Sequence, residues 1–402
     1  MPRTILSPDV GAPTIVARAA TRSGATPVTQ GGGMEVRFAN FGRSIEGMRP
    51  ALDRAADRVL ASGWLVLGPE GKAFEEALAG FVGSAHAVGC GSGTDAIELA
   101  LRALGVGAGD EVITQANTCV PTVAAIARAG ATPVLCDVEP DGATMDPESL
   151  AAAIGPRTKA VVTVHLYGQC ADMRAICGIA REHDLHVVED CAQAIGASFD
   201  GAAAGTSGSL GCFSFYPTKN LGALGDGGAV VTDDPDLADR LRKLRVYGQE
   251  SRYRHELEGV NSRLDELQAA FLGAKIEHLG AWNARRRKIA AAYSAALDGG
   301  SARPLAVLPR REHAFHLFVV DAGDRDGYRE SLAAQGVETL IHYPLPIHRQ
   351  PAYAGLAAGP VPLPVSERLA ERVLSLPIYP ELTDAEVEHV ASAVRAVDRP
   401  AA

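Results

Sequence analysis

A single lysine stands in the stretch Gly211-Cys212-Phe213-Ser214-Phe215-Tyr216-Pro217-Thr218-Lys219-Asn220-Leu221-Gly222. The apolar run from Cys212 to Tyr216 predicts a short buried strand that Pro217 ends, and Gly225, Gly227 and Gly228 release the backbone before a second strand opens at Gly228. Lys219 is thereby placed on a bend between two strands. A lysine held there, partly desolvated among polar neighbours, can lose its proton near neutral pH and attack a carbonyl as a free amine. It can equally be a solvated side chain in a glycine-rich turn, and the segment alone leaves both readings open.

A second segment upstream, Leu185-His186-Val187-Val188-Glu189-Asp190-Cys191-Ala192-Gln193-Ala194, bears on the choice. Its β-branched run predicts a parallel core strand, with Asp190 and Gln193 just past the carboxyl end, where open α/β sheets place their ligands. A pyridoxal 5'-phosphate (PLP) site needs a lysine for a Schiff base and a carboxylate to keep the pyridine nitrogen protonated. Lys219 and Asp190 supply that pair.

The motifs Glu189-Asp190-Cys191-Ala192-Gln193, Ser214-Phe215-Tyr216-Pro217-Thr218-Lys219-Asn220 and Gly91-Ser92-Gly93-Thr94-Asp95-Ala96 resemble those of the DegT/StrS family of PLP-dependent nucleotide-sugar aminotransferases, and the resemblance runs in unbroken order over residues 37 to 397. It implies an α/β protein of PLP fold type I, like aspartate aminotransferase. A large domain with a mostly parallel sheet would cover residues 37–280, a smaller C-terminal α+β domain residues 281–402, and residues 1–36 would be a disordered extension. The implied activity moves an amino group from an amino acid, with glutamate ahead of glutamine, onto the keto carbon of a nucleotide-linked deoxysugar. A cyclitol or other cyclic ketone is the alternative acceptor. Lys219 would carry PLP and later shuttle a proton, Asp190 would hold the pyridine nitrogen, and Gln193 would bond the ring hydroxyl. Gly93, Thr94 and Ser214 would receive the phosphate, and Asn261 of Gly259-Val260-Asn261-Ser262-Arg263 would reach the partner's phosphate across a two-fold homodimer. His342, Tyr343 and His348 resemble a substrate-facing loop. One departure is Cys119, which stands where the family usually carries an aromatic residue that stacks on the cofactor ring. Sugar dehydratases of this family carry histidine in place of the lysine, so Lys219 counts against that activity. Intact Lys219, Asp190, Gln193 and Ser214 count against an idle sensor.

The elements that must position these residues are legible in the pattern. A Gly-rich turn at Gly89 to Asp95 opens a helix and predicts an anion site at its amino end. Strands at 111–114, 132–137 and 160–166 alternate with helices at 121–129 and 173–183, which predicts crossover units and a parallel sheet. A long helix from Trp282 to Leu297 is expected to cross to the smaller domain. The chain has 402 residues, 47% of them apolar and 21% charged, with a net charge of −10. No basic run suits a nucleic acid or an anionic membrane, and no apolar stretch spans a bilayer. Seven scattered cysteines without metal-type spacing predict reduced thiols in the cytoplasm, and the His183-Asp184-Leu185-His186 cluster reads as a solvated connection. Residues 1–33 read as a tail, and Gly31-Gly32-Gly33-Met34 suggests Met34 as a native start.

Overall fold

The structure, a computed structural model, describes residues 34–398. Helix α1 (Phe41–Ser62) begins where Asn40 accepts the Arg43 N–H and stops at Gly63, whose φ of 65° suits a residue without a side chain. After α2 (Pro69–Val82) the chain alternates: β1 (His86–Cys90), α3 (Gly93–Ala103), β2 (Glu111–Gln115), α4 (Val120–Arg128), β3 (Thr132–Cys136), α5 (Pro147–Ala153), β4 (Thr158–Val164), α6 (Met173–Glu182) and β5 (His186–Asp190). Then come β6 (Leu210–Ser214), β7 (Gly228–Thr232), α7 (Pro235–Leu244), α8 (Glu266–Ile276) and α9 (Leu279–Ala296). The smaller domain holds β8 (Ala302–Pro304), β9 (Phe318–Ala322), α10 (Arg325–Ala334), α11 (Pro364–Arg372), β10 (Val373–Leu376) and α12 (Asp384–Asp398). Short two-residue and three-residue strands fill some of the connections.

Seven strands form one sheet in the order β1-β7-β6-β5-β4-β2-β3. All neighbours from β6 to β3 are parallel, and β7 runs antiparallel to both β1 and β6. Helices cover both faces, so the middle strands are apolar throughout, as Ala160-Val161-Val162 shows. One core lies between the sheet and α2, α6 and α8, and a second between the sheet and α3, α4 and α7. This order makes β5 and β6 neighbours, with Asp190 opposite Cys212, so the carboxyl ends that carry Asp190 and Ser214 lie side by side.

The expected crossing helix is α9, which buries Leu279 in the large core and Ile289, Ala290 and Tyr293 in a separate core with β9 and β10. The small sheet, β8-β9-β10, is antiparallel. Val36 departs from the extension expected over residues 1–36. Its side chain is fully buried in the small-domain core, its N–H donates to the Gly336 carbonyl at 2.8 Å, and its own carbonyl accepts the Glu338 N–H at 3.0 Å. A valine with an apolar cavity to fill is ordered by burial whatever the composition before it. The tail and glycine run expected over residues 1–33 lie outside the described residues. The turn from α6 to β5 passes through Asp184 with φ of 55°, consistent with a connection at the histidine cluster. Among the described residues no helix is long and apolar enough to cross a membrane.

Candidate active site

Asp190 ends β5 and is buried. Its Oδ2 accepts the Thr122 hydroxyl at 2.9 Å, Thr122 in turn meets the Thr118 hydroxyl at 3.0 Å, and Oδ1 accepts the Ala192 N–H at 3.1 Å. Thr122 lies in the first turn of α4, which Pro121 helps to start. Burial pushes the Asp190 pKa up, and the Ala192 N–H, the Thr122 hydroxyl and the Lys219 charge pull it back. Each carboxylate oxygen keeps acceptor capacity after these bonds, so a pyridinium N–H fits there.

Lys219 is half-buried on the connection from β6 to β7, with its backbone N–H donating to the Tyr216 carbonyl at 2.8 Å. Desolvation pushes its ammonium pKa down, while Cys119 and Asp190 push it up. An amine in that balance is a better nucleophile at neutral pH than a surface lysine. Its neighbour Asn220 is clamped: its Nδ2 donates to Asn283 Oδ1 at 2.9 Å and to the Ala314 carbonyl at 3.0 Å, and its Oδ1 faces His316 Nδ1 at 3.2 Å.

The anion end is built where β6 meets α3. Ser92 caps α3 by accepting the Asp95 N–H, whereas the Gly93 and Thr94 N–H groups donate to no group among the described residues. A Cβ on Gly93 would stand 2.5 Å from the Ser214 Cβ, so glycine is what lets the helix terminus close against Ser214. Two unpaired amides at a helix amino end stand against Ser214 there, which suits a phosphate. Behind this cradle Ser262 donates to Asp95 at 2.8 Å and accepts the Gly91 N–H at 2.9 Å. Asn261, one residue away, is exposed, pairs through its backbone with Val246, and makes no side-chain hydrogen bond among the described residues.

Gln193 spans the remaining side. Its Oε1 accepts the Tyr167 N–H at 2.6 Å and its Nε2 donates to the Tyr343 hydroxyl at 3.1 Å. The Tyr343 hydroxyl also meets the Cys119 thiol, so the position expected to carry an aromatic residue holds a thiol capped by a tyrosine from the smaller domain. His342 lies beside Phe38 at 5.6 Å between ring centroids, and its Nδ1 pairs with the Ser375 hydroxyl at 2.8 Å. Burial, then the Lys219 charge, hold its pKa down to about 4, so it is neutral. His348 is not part of this group: its Nε2 is bonded to Glu367 at 2.9 Å, beside Arg349. A histidine with a carboxylate partner on α11 braces the loop where it stands.

The structure adds Thr122, Tyr167, Asn220 and His316, which the motifs did not single out. Thr122 lay within reach of a sequence argument, three residues past Cys119 and just inside a helix start. Asn220 and His316 meet only through a contact between residues 96 apart in the chain. One buried trio, His165, Glu189 and Cys191, has metal-ligand chemistry. Glu189 already accepts His165 and the N–H groups of Gly205, Ser207 and Gly208, so the trio braces the strand end instead.

Comparison with known proteins agrees with this geometry. The model of the DegT/DnrJ/EryC1/StrS aminotransferase family matches residues 48–395. The erythromycin biosynthesis sensory transduction protein EryC1 of Saccharopolyspora erythraea is 49% identical over 90% of this chain and all of its own. The dTDP-3-amino-3,4,6-trideoxy-alpha-D-glucose transaminase of Streptomyces venezuelae is 48% identical over 90% of this chain and 95% of its own. The crystal structure of S. venezuelae DesV in complex with a ketimine intermediate superposes with a TM-score of 0.89 at 47% identity, covering 92% of this chain and all of that one. With its fold, its lysine and carboxylate and these matches together, the chain belongs to the DegT/DnrJ/EryC1/StrS aminotransferase family.

Proposed function

We propose that this aminotransferase moves the amino group of L-glutamate onto the keto carbon of a nucleotide-linked deoxysugar, with PLP bound among Lys219, Asp190, Gln193, Gly93, Thr94 and Ser214. The observation that carries this reading is the convergence of a half-buried lysine, a buried carboxylate and an unpaired helix amino end on neighbouring strand ends. PLP, when bound, drains electrons from the substrate carbon. Asp190, whose oxygens accept the Thr122 hydroxyl and the Ala192 N–H, would hold a proton on the ring nitrogen. The Lys219 amine, once free, takes the proton from the substrate carbon and returns it on the other side of the transfer, which a depressed pKa favours. Gln193 has an amide hydrogen to spare for the ring hydroxyl after bonding Tyr343. Neutral His342 is suited to hydrogen-bond a sugar hydroxyl.

The acceptor class is supported by relatives named as transaminases of dTDP-linked sugars and of a UDP-linked one. A homodimer in which Asn261 completes the partner's phosphate site is part of the proposal, and the exposed, unpaired side chain of Asn261 supports it. A panel of nucleotide-linked 3-keto and 4-keto deoxysugars with glutamate tests the reading through 2-oxoglutarate production. Turnover of at least one keto sugar is expected. Turnover of free cyclitol ketones alone would contradict the assignment.

A further inference from the structure

The outer side of the Lys219 loop is held by a second lysine that the reaction above does not use. Lys275, on α8, is only 6% exposed, and its ammonium donates to the Gly222 carbonyl at 2.6 Å. Gly222 is where the loop folds back on itself. A Cβ there would stand 2.4 Å from the Pro217 carbonyl oxygen, and just beyond it Ala223 donates to the Phe215 carbonyl at 2.8 Å. Gln268, two turns earlier on the same face of α8, accepts the Leu224 N–H at 2.8 Å. The backbone following Lys219 is therefore gripped at Asn220 from one side and at Gly222 and Leu224 from the other.

A buried ammonium is a costly way to satisfy one carbonyl, since the charge is taken out of water and a neutral donor would serve the same oxygen. Desolvation pushes the Lys275 pKa down to about 8, with the Glu381 carboxylate opposing that shift. What the ammonium adds is a charge-assisted bond, roughly twice as strong as a neutral one. The loop it holds carries the amine that must leave and re-form its bond in every cycle.

We propose that Lys275 is a positioning residue for the transamination: it anchors the loop at Gly222, so that the Lys219 amine stays in reach of the same atoms each time it is released. The proposal rests on the reading of Lys219 as the Schiff-base lysine. Its test uses the full chain loaded with PLP and the variant Lys275→Met, which keeps the apolar stem and deletes the charged donor. We expect kcat to fall by about tenfold to a hundredfold, as small misplacements of a reacting group do. The KM values for keto sugar and glutamate should stay within about twofold, the pattern of a step lost after binding. Reattachment of Lys219 at the end of the cycle, followed by stopped-flow absorbance, should slow with kcat. A side chain with only a structural role would lower the melting temperature and leave kcat and reattachment unchanged, and that result overturns the proposal. If Lys275→Met does not fold, Lys275→Gln, which keeps a neutral donor, carries the test: a smaller loss in the same direction supports the proposal, and unchanged kcat ends it. Borohydride trapping separates the two failures. A label on another lysine in the wild type removes the reading of Lys219, whereas a label on Lys219 with normal turnover in Lys275→Met removes only the role of Lys275.

Discussion

Replacing Thr122 by valine tests what its hydroxyl contributes to the Asp190 carboxylate. The two side chains are nearly the same size, so the substitution removes a hydroxyl without opening a cavity. The lost bond runs 2.9 Å from the Thr122 hydroxyl to a buried carboxylate oxygen, and hydrogen bonds to charged groups are worth about 1.5–3 kcal/mol. Losing that bond should push the Asp190 pKa further up, since it favours the ionised form. That adds to the rise burial already imposes. If the loss falls wholly on stabilising the charged ring nitrogen, kcat drops by about tenfold to a hundredfold. Thr118 also loses its partner, which adds a small stability cost. Steady-state turnover with glutamate, together with PLP affinity by absorbance titration, reads both effects, and Thr122→Ser, which keeps the hydroxyl, should stay near wild type. The reasoning fails if Thr122→Val retains kcat within about twofold and binds PLP normally.

Three further outcomes are expected. Because folding raises the Asp190 pKa, its contribution to apo-protein stability is present at low pH and lost as pH rises through the folded value. Apo Asp190→Asn should therefore melt no lower than apo wild type at pH 8, while the loaded variant loses turnover by orders of magnitude; a lower apo melting temperature would make Asp190 a structural residue. Glu386, held by Arg43 and Thr383 with a pKa lowered to about 2, contributes stability above its unfolded value that disappears as pH falls toward 2. Glu386→Gln should cost about 1–2 kcal/mol at pH 7 and flatten the acid limb of stability measured by denaturant unfolding; an unchanged limb would assign acid sensitivity elsewhere. Co-refolding Lys219→Ala with Asn261→Asp should restore about a quarter of wild-type activity, since random pairing makes about half the dimers mixed and each of these has one intact site. Chain exchange verified by native mass spectrometry without any activity would place Asn261 in its own subunit's site.

What the sequence made legible was local. The β-branched run before Asp190 and the alternation of strands with helices follow from a sheet buried on both faces, so periodicity alone placed the strands, and Asp190 and Ser214 duly stand at neighbouring strand ends. Gly93 is readable as part of a Gly-rich turn that opens a helix, whereas its close approach to Ser214 appears only in three dimensions. The strand at His186–Asp190 does not reveal that Thr122 would bond its last residue, because that contact joins two crossover units. His348 shows the limit of reading a polar loop: a histidine in the same loop as His342 and Tyr343 suits a substrate site, but the fold turns its ring onto Glu367. Tyr343 and Cys119 meet across a long stretch of chain, a tyrosine hydroxyl against a small thiol. No single stretch carries that information. Val36 was read from its neighbours' composition and is decided by its own burial.

The central claim is that one lysine, Lys219, carries the cofactor. Reducing the PLP-loaded protein with borohydride and mapping the pyridoxyl label by peptide mass spectrometry tests it most directly. The account predicts one label, on the peptide containing Lys219, and none after glutamate has converted the cofactor to its amine form. A label on Lys275 or any other lysine, or a label on Lys219 that glutamate does not remove, would contradict it.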